Sequence, residues 1–196
     1  MYEIQNFIKI YEKSFIENWD LPALTEYPTG HTLSYGDLAY HIALTHLFFE
    51  SIGLKPGDKV VVCGKDSIAW VLAYMATVTY GAVIVPVLSD FNPVDITHII
   101  NHSEAELVFI SETVWEHIEP EALLRVKAVI GLESKNVLHE SAGVEVMRHM
   151  RLLKRRFNRR YPDGFSSNDV RYIDRDNSEL AEINCTSGTT GFSKGV

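Results

Sequence analysis

Residues 185–196, CTSGTTGFSKGV, gather five hydroxyl side chains, three glycines and one lysine, with no acid among them. The chemistry these residue types support is the holding of a polyanion. Gly188, Gly191 and Gly195 allow positive φ angles and let backbone N–H groups approach a ligand without obstruction from a Cβ, which makes a nest for an anion. Thr186, Ser187, Thr189 and Thr190 add hydroxyl donors that rotate to suit several phosphate oxygens, and Lys194 supplies one mobile positive charge. The order is not that of a Walker A loop. Here Ser193 precedes Lys194 and a glycine follows it, so the hydroxyl that binds magnesium in that motif has no counterpart. A G-x-G-x-x-G pattern is absent from the loop as well.

The remaining reactive side chains weigh less. His98 and His102 stand four apart on an expected helix, a spacing that suits zinc, but no third ligand lies near them in sequence and no metal site is assigned. Cys185 abuts the glycine-rich segment without an evident histidine partner and reads as a small apolar filler. With Cys63 as the only other cysteine, the chain has too few for a disulfide framework, a single bridge being the alternative, and a reducing cytoplasmic setting is expected. No catalytic residue is assigned within the chain.

Elements that could position the loop follow from periodicity. Residues 59–63 (KVVVC), 82–87, 106–110 (ELVFI) and 127–130 (KAVI) read as buried strands, and 67–80 and 94–103 as helices between them. Residues 113–125 read as mostly helical despite Pro120, and 182–185 (EINC) as the strand that feeds the loop. Strands apolar on both faces, separated by helices, imply a mostly parallel sheet with right-handed crossovers and helices on both sides, an α/β fold. Residues 34–51 place Leu38, Ile42, Leu47 and Phe48 near one helical face that should pack on this sheet. The uncharged run 67–89 is long enough on paper to cross a bilayer, yet Gly81 and Pro86 split it and Asp66 and Asp90 flank it. A buried helix, a glycine turn and a buried strand explain it better.

Charge is distributed unevenly. The chain carries a formal −8, which argues against a nucleic-acid partner recognised through global electrostatics, while 148–160 (RHMRLLKRRFNRR) holds seven arginines and lysines and no acid. Val146, Met150, Leu153 and Phe157 share one helical stripe, and Arg148, Arg151, Arg155 and Arg159 a neighbouring face. The basic face reads as a solvated surface balanced by acidic neighbours, as an attractor of a polyanionic ligand such as a nucleotide, or as a peripheral contact with anionic membrane at the inner face of the cytoplasmic membrane. Residues 161–178, rich in Asp, Asn, Ser and Gly, read as a long loop.

Thr186-Ser187-Gly188-Thr189-Thr190-Gly191-x-x-Lys194-Gly195 resembles the phosphate-binding signature of the adenylate-forming (AMP-binding) enzymes, a group that includes acyl-CoA ligases. Leu33-Ser34-Tyr35-Gly36-Asp37-Leu38, Gly57-Asp58-Lys59-Val60, Gly81-Ala82 through Pro86 and Asn101 to Ala105 are similar to further segments of that family. Two departures stand in the loop: Ser193 where the family usually has proline, and Cys185 where it usually has an aromatic residue.

The resemblance implies that 1–196 is an incomplete AMP-binding domain from the N-terminal third of a larger ligase, truncated after the phosphate loop. Its parts are an N-terminal extension (1–30), an α/β subdomain (31–135), an amphipathic basic helix (136–160), a loop (161–178), and a strand with the phosphate-binding loop (179–196). It further implies a parent acid–thiol ligase that joins a carboxylic acid, with a long-chain fatty acid favoured, to ATP with Mg²⁺, and passes the acyl group to coenzyme A. Thr186, Ser187, Gly188, Thr189, Thr190, Gly191 and Lys194 would bind the nucleotide. The chain alone is expected to be inactive and to self-associate. Two alternatives remain: an adenylation domain that loads a carrier protein, and a non-enzymatic nucleotide-binding α/β domain.

Overall fold

The computed structural model describes residues 6–27, 29–186, 194 and 195. The chain opens with α1 (Phe7–Glu17), whose first turn is capped by the Asn6 side chain accepting from the Ile8 N–H. The antiparallel hairpin β1 (Pro22–Thr25) and β2 (Thr32–Ser34) follows. α2 (Tyr35–Ser51) starts on a capping box. The Asp37 carboxylate accepts the Ser34 N–H (2.9 Å) and the Ser34 hydroxyl accepts the Asp37 N–H (3.0 Å), so two orphan donors are satisfied at once. The Ser34 backbone and hydroxyl donors hold the Asp37 carboxyl below its ordinary range.

Next come β3 (Lys59–Cys63), α3 (Ile68–Tyr80), β4 (Val83–Val87), α4 (Pro93–His102) and β5 (Leu107–Ile110). Ser67 caps α3 through the Trp70 N–H, and Gly81 ends it in the left-handed region at φ 87°. The expected helix over 113–125 shrinks to one turn, α5 (Glu112–Trp115), and a 3₁₀ turn at Pro120–Ala122. Proline forces the residue before it out of the helical region, and Glu119 is indeed extended. The Asn101 amide then locks the segment by donating to the Ala122 carbonyl (2.8 Å) and accepting the Leu124 N–H (3.0 Å).

β6 (Ala128–Gly131) turns tightly into β7 (Val137–Glu140), and α6 (Val146–Arg160) closes the regular structure before a short hairpin of β8 (Cys185–Thr186) and β9 (Lys194–Gly195). The segment 136–160, expected as one helix, is therefore a strand, a turn and a helix. Within the N-terminal extension, Ile8 and Phe15 of α1 are buried in the core.

The main sheet has the order β4-β3-β5-β6-β7, parallel except for the β6–β7 pair. Val60, Val62, Ile84, Leu107, Phe109 and Ile130 face a core under α1, α2, α3 and α6, while Val61, Val85, Val108, Ile110 and Val129 face a second core under α4. Alternate strand residues thus serve opposite faces, which is why these runs are apolar throughout. The 161–178 loop is pinned to the rest of the fold. Val170 and Tyr172 are buried, the Tyr172 N–H donates to the Glu12 carboxylate (2.6 Å), and the Lys9 ammonium donates to the Tyr172 carbonyl (2.9 Å). Among the described residues no helix is long and apolar enough to cross a membrane.

Candidate functional site

The glycine- and hydroxyl-rich segment is positioned by backbone pairing at a sheet edge. The Ile84 N–H donates to the Ala181 carbonyl (3.0 Å) and the Ile183 N–H to the Ile84 carbonyl (2.9 Å), so residues 181–183 lie parallel to β4 through a bridge at Glu182. This is shorter than the expected strand over 182–185, and Pro86 supplies the reason. In a parallel strand alternate residues serve each edge, so Pro86 follows Ile84 on the outer edge, and it has no N–H to offer. The ladder ends there, and the chain leaves the sheet into β8.

The β8–β9 hairpin then closes the ends of the segment, with Cys185 opposite Gly195 and Thr186 opposite Lys194. Two of the nucleotide-binding candidates, Thr186 and Lys194, are thereby register partners. Ser187, Gly188, Thr189, Thr190 and Gly191 lie outside the described residues.

Side chains around this edge fix it without offering nucleophiles. The Tyr74 hydroxyl donates to the Glu182 carboxylate at 2.6 Å, tying α3 to the incoming segment; burial, and then this carboxylate, push the Tyr74 phenol well above its usual value. Ile183 and Cys185 pack on the α4-side core. Burial raises the Cys185 thiol and drives that of Cys63 up to about 12, so both are protonated at neutral pH and unsuited to attack. His98 and His102 stack at 5.5 Å between ring centroids on α4. Among the described residues, no three His, Cys, Asp or Glu side chains are grouped to hold a metal.

The supports of the candidate loop, Ile84, Tyr74 and Glu182, carry no local pattern in the sequence. Pro86 inside an otherwise β-branched run is the sequence signal that could have marked an edge strand.

The fold is an open, mostly parallel α/β sheet, and β8 follows the 181–183 segment that runs parallel to the edge strand β4. The model of the AMP-binding enzyme family matches residues 12–196. The chain belongs to that family.

Among known proteins it is 28% identical over 150 residues to long chain acyl-CoA synthetase 6, peroxisomal, of Arabidopsis thaliana, covering 74% of this chain and 20% of that one. It is 26% identical over 172 residues to naringenin synthase of Pestalotiopsis fici, covering 85% of this chain and 6% of that one. The chain thus spans a fifth or less of the length of these relatives. In structure it superposes on the anthranilate CoA ligase AuaEII, solved with anthranoyl-AMP, with a TM-score of 0.75 and 16% identity, over 98% of this chain and 33% of that one. The N-terminal domain of FACL13 from Mycobacterium tuberculosis gives a TM-score of 0.71 and 18% identity, over 96% and 43%. These likenesses place the architecture as that of the N-terminal subdomain of the adenylate-forming enzymes.

Proposed function

We propose that this chain is the polyphosphate-gripping part of an ATP-dependent acyl-CoA ligase, which condenses a carboxylic acid with ATP and passes the acyl group to coenzyme A. The observation that carries the reading is the closed hairpin with Thr186 opposite Lys194, set beyond a parallel strand and bearing TSGTTG-x-x-KG. The first step brings a carboxylate to an already negative α-phosphate while charge builds on the departing pyrophosphate. Donors aimed at the β- and γ-phosphates stabilise that charge as it forms. Thr186, Ser187, Thr189 and Thr190, the loop amides and Lys194 are those donors. A long-chain fatty acid as the acid is supported by the plant long chain acyl-CoA synthetases among the relatives. In this reading the ligase works in the cytoplasm, with the basic face of α6 against anionic lipid.

The test is ATP binding by the chain, measured calorimetrically, in the wild type and in a triple variant Thr189→Ala, Thr190→Ala, Lys194→Ala. Loss of three polar contacts to phosphate is expected to weaken binding at least tenfold, at about 1.4 kcal/mol per decade. Undiminished affinity in the triple variant refutes the assignment. On the chain alone, ATP–pyrophosphate exchange dependent on added acid is expected to be absent.

A further inference from the structure

A cavity of about 180 Å³ lies between α2, α3, α6 and the sheet. Protein interiors are close-packed, and a void of roughly 150 Å³ lined by apolar side chains is enough to take up benzene. Phe48, Leu72, Phe109, Ile130, Met150 and Leu153 form much of the wall. The cavity adjoins a more polar crevice of about 410 Å³ lined by Lys65, Ser67 and Glu133; His41, Ala69, Leu72, Leu132 and Lys135 border both spaces. The mouth therefore offers one imidazole and one ammonium to an otherwise oily chamber.

Lys135 is held there by a built turn. Its φ is 59°, a left-handed conformation that costs a side-chain-bearing residue about 1–2 kcal/mol. The turn is fixed by the Gly131 N–H donating to the Asn136 carbonyl (2.9 Å) and by the Glu112 carboxylate accepting the Ser134 N–H (2.9 Å). Among the described residues Lys135 makes no ion pair. Of the two crevice acids, Glu26 and Glu133, the Glu133 carboxylate is engaged by the Glu112 N–H (3.1 Å). Burial first, and then the charge of Lys135, lower the affinity of His41 for a proton, against the opposing pull of Asp37. The imidazole is then neutral at pH 7, and Lys135 carries the positive charge where the two spaces meet.

We infer that this cavity is a second ligand site, which takes a compact apolar monocarboxylate with its body among Phe48, Phe109 and Leu153 and its anionic end at Lys135. It is distinct from the phosphate loop. The loop's leading residues Ile183 and Cys185 pack on the α4 side of the sheet, whereas Phe48, Phe109 and Ile130 belong to the opposite core. Four strand spacings, about 19 Å, separate the 181–183 segment from β6. The inference therefore stands or falls independently of the nucleotide reading.

The experiment titrates the 196-residue chain with benzoate and with hexanoate, using benzyl alcohol as the uncharged probe, by calorimetry and by amide chemical shifts. Saturable one-to-one binding at millimolar ligand or below is expected, with shifts centred on α2, α3 and α6. Lys135→Asn, which suits a left-handed position, should weaken benzoate about tenfold and leave benzyl alcohol unchanged. Ala73→Leu should abolish binding of all three probes by filling the chamber. Ala69→Leu, on the same wall but less buried, decides the matter if Ala73→Leu fails to fold. The triple alanine variant of the phosphate loop should bind benzoate as the wild type does. Absence of saturable binding in the wild type, undiminished binding in the filled variant, equal weakening of both benzene derivatives by Lys135→Asn, or loss of benzoate in the loop variant would each overturn the assignment.

Discussion

At the scale of single residues, two positions convert burial and backbone conformation into measurable stability. His46 sits inside the contact between α2 and α3, its Nε2 3.0 Å from the Ala76 carbonyl and 3.1 Å from the Thr79 hydroxyl. Burial lowers its pKa from 6.5 to about 4, against the opposing effect of the Ala76 carbonyl. The unfolded chain therefore binds this proton more readily than the folded one between those values. Stability from the neutral imidazole is fully present above about pH 6.5 and is lost as pH falls toward 4, by on the order of 3 kcal/mol. Urea midpoints at pH 7.5 and pH 5 should diverge in the wild type, and the divergence should shrink in His46→Gln. An unchanged pH dependence in that variant refutes the assignment.

Gly81 is the second position. At φ 87° it ends α3, and an added Cβ would lie 2.8 Å from the Ile173 Cδ1 atom. Gly81→Ala should cost about 1–3 kcal/mol in the same unfolding experiment, through left-handed strain and crowding together.

At the scale of elements, the physics that made some segments readable also hid others. Five-residue runs such as KVVVC announce strands because both faces are buried. The turn after α3 was readable because only glycine takes that conformation without strain. By contrast β7 is a half-buried strand of four residues, Val137–Glu140, with no period long enough to register. α5 failed where Pro120 and the Asn101 amide outweighed helical propensity. The anchoring of the 161–178 loop left no mark in the sequence because Val170 and Tyr172 are isolated apolar residues, and the partners of Tyr172 on α1, Glu12 and Phe15, lie some 160 positions away. For the site, residue types singled out the candidate loop, but the docking of residues 181–183 on Ile84 is a long-range backbone pairing that leaves no local pattern.

The basic residues of α6 divide into paired and unpaired ones. Arg148 pairs with Glu145 and Arg160 with Glu50, while Arg151, Lys154, Arg155 and Arg159 are exposed and make no ion pair among the described residues. At about 1 kcal/mol per basic residue near an anionic surface, these four suffice for reversible, salt-sensitive binding. Co-sedimentation with phosphatidylglycerol vesicles should therefore be seen at low ionic strength, fade at high ionic strength, and vanish when all four are changed to glutamine. Equal binding to phosphatidylcholine vesicles would contradict a charge-based contact.

At the scale of the whole molecule, the sheet is covered unequally. One face carries α1, α2, α3 and α6, whereas the other is roofed mainly by α4, a helix of ten residues, and by the single turn of α5. On and around that thinner roof Leu88 is 63%, Val94 74% and Leu124 78% exposed. Large apolar side chains left in water on a lightly covered face favour association with further apolar surface, and a second copy of the chain presents the same residues. The chain is therefore expected to sediment as a dimer or larger species at micromolar concentration. Leu88→Ser combined with Val94→Ser should shift it toward monomer without lowering the urea midpoint, because both side chains are solvent-exposed and contribute little to the core. A wild-type chain that sediments as a clean monomer across that range would show that α4 and α5 cover the face well enough alone.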